Sequence, residues 1–154
     1  MQILAIDPGR TTGICLVESA SDGLRLVEVR EILWDDRFDQ LKALLDSMFL
    51  HPLLQEPQPV GAVVIETFRL RQGRAYEQSG SDFPSTQVIA IVQTLLWVRD
   101  PFYLTRLFYQ EPAIIGRVKI LDEHVNYVAG SEHKKDAYRH ARFFYLAHGR
   151  KETA

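Results

Sequence analysis

The spacing of apolar residues changes several times along the chain, and each spacing predicts a type of element. Residues 2–7 form a short apolar run that stops at Asp7, because the proline and glycine that follow cannot continue a central strand. Extended chain resumes over residues 13–18, and alternating apolar and charged positions over residues 24–30 predict a third strand. Three strands joined by short turns indicate an antiparallel meander.

The rest of the chain alternates between helical and extended patterns. Apolar residues at three- and four-residue steps predict helices over residues 35–50, 85–99, 113–119 and 132–148. Apolar runs predict strands over residues 60–66 and 103–108. The first of these runs is rich in β-branched residues and carries no charge until Glu66, which is typical of a strand buried on both faces. This element order predicts one mixed α/β domain that spans residues 1–154.

Length and composition exclude several classes of protein. The chain has 154 residues, 46% of them apolar and 25% charged, which fits one domain with a real core. That length excludes the two lobes of an ASKHA-type phosphotransferase, although such proteins share an Asp-x-Gly opening. The single cysteine, Cys15, excludes an internal disulfide and a cysteine-rich zinc site. Without a basic leader or a long apolar run, we expect a cytoplasmic protein with no membrane association.

Charge is unevenly distributed along the chain. Residues 1–66 hold 11 acids and 5 bases, a net charge of -6, whereas residues 67–154 hold 9 acids and 13 bases, a net charge of +4. The second half is therefore able to present a basic surface to a polyanion, although the whole chain carries a net charge of -2. The alternative is chance variation along the chain, so this asymmetry alone does not indicate nucleic-acid binding.

Three acidic residues stand where strongly apolar elements end or begin. Asp7 ends the first strand, Glu66 ends the buried strand, and Asp136 lies one turn into the last helix, three residues after His133. Carboxylates that converge at strand ends repel one another unless a cation lies between them, and oxygen ligands suit Mg²⁺ or Mn²⁺. Each residue also has an ordinary interpretation: a turn, a solvent-facing strand end, or a helix N-terminus paired with its dipole.

The last helix supports the grouping of these acids. At 100° per residue, His140 falls within about 20° of His133. Ala137, Ala141 and Phe144 form the adjoining apolar stripe. We therefore expect the helix to dock through this stripe and to hold His133 and Asp136 along the rim of the contact.

Three segments resemble the motifs of RuvC-like Holliday junction resolvases, in the same order. They are residues 3–9 (ILAIDPG), residues 63–66 (VVIE) and residues 133–137 (HKKDA). Together they span most of the chain and are typical of the RNase H-like superfamily. The segments before the last helix and after Glu66 match the housekeeping bacterial enzyme only partly, so the resemblance is to a divergent or phage-type member.

The resemblance implies a five-stranded mixed sheet, in the order 3-2-1-4-5, flanked by helices. It also implies two Mg²⁺ ions per active site, with Mn²⁺ able to substitute, and hydrolysis of a DNA phosphodiester. Asp7, Glu66, His133 and Asp136 then take the catalytic and metal-ligand positions, with His133 where some members have aspartate. Phosphodiester hydrolysis itself favours two cations about 4 Å apart, one for the attacking water and one for the leaving oxygen. His133 is either a ligand or a proton carrier.

Several basic residues are candidates for contacts with DNA phosphates, and one aromatic residue is a candidate for stacking on a base. They are Phe68, Arg69, Arg71 and Arg74 in the long segment after Glu66, and Arg117, Lys119, Lys134 and Lys135 near the later motif. The alternative is a solvated loop for the arginines and ordinary packing for Phe68.

The sequence therefore predicts a Mg²⁺-dependent endonuclease that acts on branched DNA, above all on four-way junctions. A homodimer is expected, because a two-fold dimer matches the two symmetric scissile strands of a junction. The apolar helix at residues 85–99 is the candidate interface. Two alternatives stay open: another RNase H-like nuclease that cuts flaps, other branched DNA or RNA–DNA hybrids, and a nucleic-acid-binding protein without metal turnover.

Overall fold

The chain forms a five-stranded mixed sheet with helices packed on both faces. A computed structural model describes residues 1–21, 23–33, 60–67, 84–99, 105–118 and 131–148. The elements in chain order are β1 Gln2–Asp7, β2 Thr11–Ala20, β3 Gly23–Leu33, β4 Val60–Glu66, α1 Pro84–Arg99, β5 Leu107–Gln110, α2 Ala113–Val118 and α3 Glu132–His148. Among these helices, none has the length and apolar character needed to cross a membrane.

The strand order is β3-β2-β1-β4-β5, as expected. The antiparallel meander is confirmed, since β1 pairs with β2 and β2 with β3 in antiparallel fashion. By contrast, β4 runs parallel to both β1 and β5. The carboxyl ends of β1, β4 and β5 therefore meet at one edge of the sheet.

Alternation along the central strands separates two apolar cores. Leu4, Ile6, Val63 and Ile65 face one side of the sheet, where they pack with the valines and leucine of α1. Residues of the opposite parity are small or β-branched and pack against α3. They are Ile3 and Ala5 in β1, Cys15 and Val17 in β2, and Ala62 and Val64 in β4. Because the period of a strand is two, Asp7 and Glu66 continue the α3-facing rows.

Helix α3 approaches β2 so closely that only glycine fits between them. A Cβ atom built on Gly13 would lie 2.0 Å from the backbone carbonyl oxygen of His133. Gly13 is also the register partner of Asp7 across the β1–β2 ladder. The first turn of α3 is therefore held directly beside the end of β1.

Several element boundaries differ from the prediction, and the largest change of position is that of β5. The strand predicted over residues 103–108 runs instead from Leu107 to Gln110, and a 3₁₀ turn covers residues 105 and 106. The apolar pattern missed its end because Gln110 is polar, yet its side chain is buried and hydrogen-bonded. The short helix ends at Val118. The helix predicted over residues 35–50 lies outside the described residues.

Candidate active site

The carboxyl edge of the sheet carries three polar side chains in a row. Asp7 follows Ile6 in β1, Glu66 follows Ile65 in β4, and Ile6 and Ile65 are register partners. Gln110 of β5 is the register partner of Glu66. All three follow the parity that faces α3, so the meeting of Asp7 and Glu66 at one site was predictable from the alternation of the strands.

Helix α3 supplies the residues opposite this row. Nδ1 of His133 lies 2.9 Å from Oδ2 of Asp7, and the His133 side chain keeps 46% of its surface exposed. One turn further along the helix, Asp136 is about one quarter exposed. The prediction that both residues lie along the rim of the contact is confirmed, with the Ala137–Ala141 stripe buried beneath them.

Asp136 pairs with a buried arginine on its own helix. Arg139 is 5% exposed and donates hydrogen bonds from Nη1 to Asp136 Oδ1 and, over 3.3 Å, to Glu132 Oε2. Lys135 Nζ bonds the other oxygen of Glu132 over 3.0 Å. These salt bridges hold the Asp136 side chain near the start of the helix, and Arg139 balances its charge.

The pKa of Asp7 is raised to about 6. Burial is the largest cause, since the side chain is almost out of contact with water and the charged form loses hydration. The hydrogen bond from His133 lowers the pKa, and the negative charges of Glu66 and Asp136 raise it again. Glu66 and Asp136 therefore lie close enough to Asp7 for their charges to disfavour its ionised form.

The donor set suits a hard divalent cation, although the side chains are arranged in pairs. Within the described ranges, no three His, Cys, Asp or Glu side chains stand close enough together to hold one ion. Each carboxylate has its own partner instead: His133 for Asp7, His140 for Glu66 and Arg139 for Asp136. Carboxylates that lie near one another at a buried edge repel, and a bound Mg²⁺ or Mn²⁺ relieves this repulsion. The residues of the site are therefore chemically suited to bind such a cation.

The predicted DNA contacts are only partly within the described residues. Lys134 and Lys135 lie in the first turn of α3 beside His133, and Arg117 is exposed in the last turn of α2. Lys135 is already paired with Glu132. The remaining candidates lie outside the described residues: Phe68, Arg69, Arg71, Arg74 and Lys119.

Two residues of this region were not predicted as site residues from the sequence. His140 is fully buried, with Nε2 at 2.7 Å from Oε2 of Glu66 and Nδ1 at 2.7 Å from Oε1 of Gln110. A signal for His140 was present, since its angular position matches that of His133. No sequence pattern indicated Gln110, because the predicted strand ended at residue 108, before Gln110.

Strand order, the row of acids and the helix that closes over it define the fold class as RNase H-like. Comparison with solved structures specifies that class further. Thermus thermophilus RuvC, solved in complex with a Holliday junction substrate, superposes with a TM-score of 0.67 at 16% identity, over 97% of each chain. The fowlpox virus Holliday junction resolvase gives a TM-score of 0.58 at 10% identity, over 96% of this chain and 99% of that one.

The chain therefore has the RuvC-type RNase H-like fold, in agreement with the prediction from its motifs. No family model matches the sequence, and no curated protein matches it. At these identities the likeness establishes the fold, so the chemistry has to be argued from the residues of this chain.

Proposed function

We propose that this chain is a divalent-metal-dependent endonuclease that cleaves branched DNA at four-way junctions. The observation that carries the proposal is the placement of Asp7 and Glu66. They end two adjacent parallel strands, face the same helix and lie opposite His133 and Asp136. Two solved structures with this fold are Holliday junction resolvases, one of them in complex with its substrate.

Asp7, Glu66 and Asp136, with His133, are the residues that would hold the cations. When bound, divalent cations stabilise negative charge on the phosphate and on the leaving oxygen and activate the attacking water. Asp7 is the natural shared ligand because the charges of both other acids act on it and because its side chain is the most buried of the three. His133 lies against Asp7 with half of its ring exposed, so it is placed to exchange a proton with solvent or to act as a ligand.

The substrate would be held by basic residues around this edge of the sheet. Lys134 lies in the same helical turn as His133, and Arg117 is exposed on α2. The arginines at positions 69, 71 and 74 follow Glu66 in the chain and would extend the contact along the backbone of the DNA. Such contacts position the DNA, while the shape of a branch point decides where it is cut.

We further propose that the enzyme acts as a homodimer through α1. One face of this helix packs on the sheet through Val88, Val92 and Leu96, yet Trp97 and Val98 are 59% and 68% exposed. One domain has one such site, whereas resolution of a junction requires two cuts, and a two-fold dimer supplies both. Sedimentation of the protein and strand-resolved mapping of its cuts test this assembly together. A monomer that cuts one strand only would contradict it.

The central test is a cleavage panel of four-way junction, flap, RNA–DNA hybrid and duplex, each with Mg²⁺ and with Mn²⁺. We expect the junction to be cut, and Asp7→Asn and Glu66→Gln to lose at least ~10³-fold in rate, because each removes a metal ligand. Junction affinity should stay within a few-fold. The matched control is Glu28→Gln on β3, whose carboxylate pairs with Arg30 away from the site.

The outcomes of this panel separate the alternatives. Near-normal turnover by Asp7→Asn or Glu66→Gln would contradict the assignment of the site. Preference for flaps or hybrids over junctions would assign the chain to another branch of RNase H-like nucleases. Junction binding without cleavage under any metal would identify a binding protein.

A further inference from the structure

A histidine with no access to solvent lies behind the candidate site. His140 of α3 has 0% exposure and is packed between the helix and the sheet. An imidazole in such a position loses its hydration, and it is tolerated only if both ring nitrogens find partners. Both do, since Glu66 lies at one nitrogen and Gln110 at the other, each at 2.7 Å.

These three side chains connect three elements. Glu66 and Gln110 are register partners at the ends of β4 and β5, and His140 comes from the second turn of α3 beyond His133. The ring therefore spans two strands from the helix that also carries His133 and Asp136. Movement of Glu66 relative to α3 would break this bridge.

The direction of the bond to Glu66 follows from chemistry. An ionised carboxylate only accepts hydrogen bonds, so Nε2 of His140 carries the hydrogen and donates it to Oε2 of Glu66. An amide oxygen also only accepts, so Nδ1 donates to Oε1 of Gln110, and this second bond fixes the plane of the ring. Glu66 keeps 17% of its surface exposed at the site, whereas His140 has none and is unable to touch DNA or a reacting atom.

We propose that His140, held by Gln110, is a positioning residue that fixes the carboxylate of Glu66 for cation binding. The inference rests on the proposed function, since it assigns Glu66 as a metal ligand. A carboxylate with one oxygen fixed by a buried donor presents its other oxygen in one orientation, which lowers the entropic cost of binding a cation. Partners behind a ligand typically contribute about 10–100-fold to metal affinity.

Two substitutions of His140 separate its two hydrogen bonds. His140→Gln places an amide nitrogen near the position of Nε2 and retains a donor for Glu66, whereas His140→Asn places its amide near Nδ1 and retains only the contact with Gln110. The dissociation constant for Mn²⁺ is measured calorimetrically on the DNA-free protein. We expect His140→Asn to bind Mn²⁺ about 10–100-fold more weakly than the wild type, and His140→Gln to stay within a few-fold.

The matched control is His148→Asn, on the same helix but exposed, with Nδ1 against the carbonyl oxygen of Phe144. It should leave Mn²⁺ affinity unchanged. Junction affinity without metal should be equal in all four proteins, since His140 does not reach DNA. If His140→Asn binds Mn²⁺ as tightly as the wild type, or if His140→Gln loses as much as His140→Asn, the positioning role is wrong.

A second measurement needs no substitution and covers the case in which a variant fails to fold. Nitrogen-15 spectra of the histidine rings are recorded while Mg²⁺ is added to the wild-type protein. The Nε2 resonance of His140 should shift with saturation as Glu66 takes up the ion, while His148 stays in place. If the His140 resonance does not shift in a protein that binds Mg²⁺ and cuts junctions, the positioning role of His140 is wrong and the proposed function stands. A wild-type protein that binds neither Mg²⁺ nor Mn²⁺ overturns the proposed function together with the positioning role.

Discussion

At the residue scale, Asp7 is the most buried of the three acids at the candidate site. It ends β1, in which residues 3–6 are fully buried, and the negative charges of Glu66 and Asp136 disfavour its ionised form. The folded protein therefore holds the Asp7 proton more tightly than the unfolded chain does. Ionisation of this group costs stability that only a cation or the neighbouring His133 offsets.

A pH dependence of stability follows from the raised pKa of Asp7. Its folded pKa of about 6 exceeds the ordinary value of 3.8, so the folded state binds more protons between these limits. In metal-free buffer, the free energy of unfolding should fall as the pH rises through this window, by up to about 3 kcal/mol from this group. Denaturant unfolding of the wild type and of Asp7→Asn below and above the window measures the effect. Parallel pH profiles for the two proteins would show that Asp7 has an ordinary pKa.

The role of His133 is tested by a pair of substitutions. His133→Asp should stay active within about tenfold, because aspartate retains a ligand oxygen and a proton acceptor beside Asp7. His133→Ala should lose about 100-fold or more in the rate of junction cleavage, the usual contribution of a proton-transfer group. Single-turnover rates at saturating Mg²⁺ make the comparison. Equal activity of the two variants, at any level, would remove His133 from the chemistry.

At the element scale, the contact between α3 and β2 determines where the site residues of the helix lie. The backbone of His133 rests on Gly13, and Gly13 stands opposite Asp7 in the ladder. One close approach between backbones therefore fixes the distance between the helix and the end of β1.

Substitution of Gly13 by alanine should be severe. Its Cβ would meet the carbonyl oxygen of His133 at 2.0 Å, a backbone atom that moves only if α3 moves. We expect a loss of about 1–3 kcal/mol or more in the free energy of unfolding, together with a loss of cleavage as His133 and Asp136 are displaced. Gly61→Ala is the matched control, since its Cβ meets the flexible side chain of Met1, at 2.5 Å from Cγ. Similar stabilities for the two variants would contradict a fixed contact at Gly13.

Sequence patterns predicted the helices and strands better than they predicted the hydrogen bonds between buried polar residues. Strand order, the parity of Asp7 and Glu66 and the rim position of His133 all follow from alternation, helical spacing or motif resemblance. The Gln110–His140–Glu66 bridge does not follow from them, because a buried polar group is specified by partners that are distant in the chain. Tyr138 and Arg139 show the same limit, because both are buried although neither belongs to the apolar stripe of Ala137, Ala141 and Phe144.

At the scale of the whole molecule, the proposed DNA contacts come from the half of the chain that carries the net positive charge. On β3, Arg25 and Arg30 are already paired with Glu18 and Glu28. Two bases of the first half are thus neutralised by acids of the same half, and the net positive charge belongs to residues 67–154. Arg117 and Lys134 belong to that half of the chain.

The salt dependence of junction binding tests which of these basic residues contact DNA. Replacing Arg69, Arg71 and Arg74 by alanine should weaken junction binding and reduce the slope of log affinity against log salt by about 0.9 for each DNA phosphate that is no longer neutralised. The paired arginines supply the control, since Arg25→Ala with Arg30→Ala should leave the slope unchanged. Fluorescence anisotropy with a labelled junction across a salt series gives both slopes. An unchanged slope in the triple variant would remove these three arginines from the DNA interface.

The two-residue repeat of β1 and β4 also limits how the gene can change. Deleting or inserting one residue between Ile3 and Ile6 would turn Asp7 from the α3 layer to the α1 layer, into the aliphatic core around Val88 and Val92. The same holds for Glu66 and β4. Functional variants of this chain should therefore tolerate insertions and deletions in the connections between elements. Within β1 and β4 they should tolerate only insertions or deletions of two residues at a time.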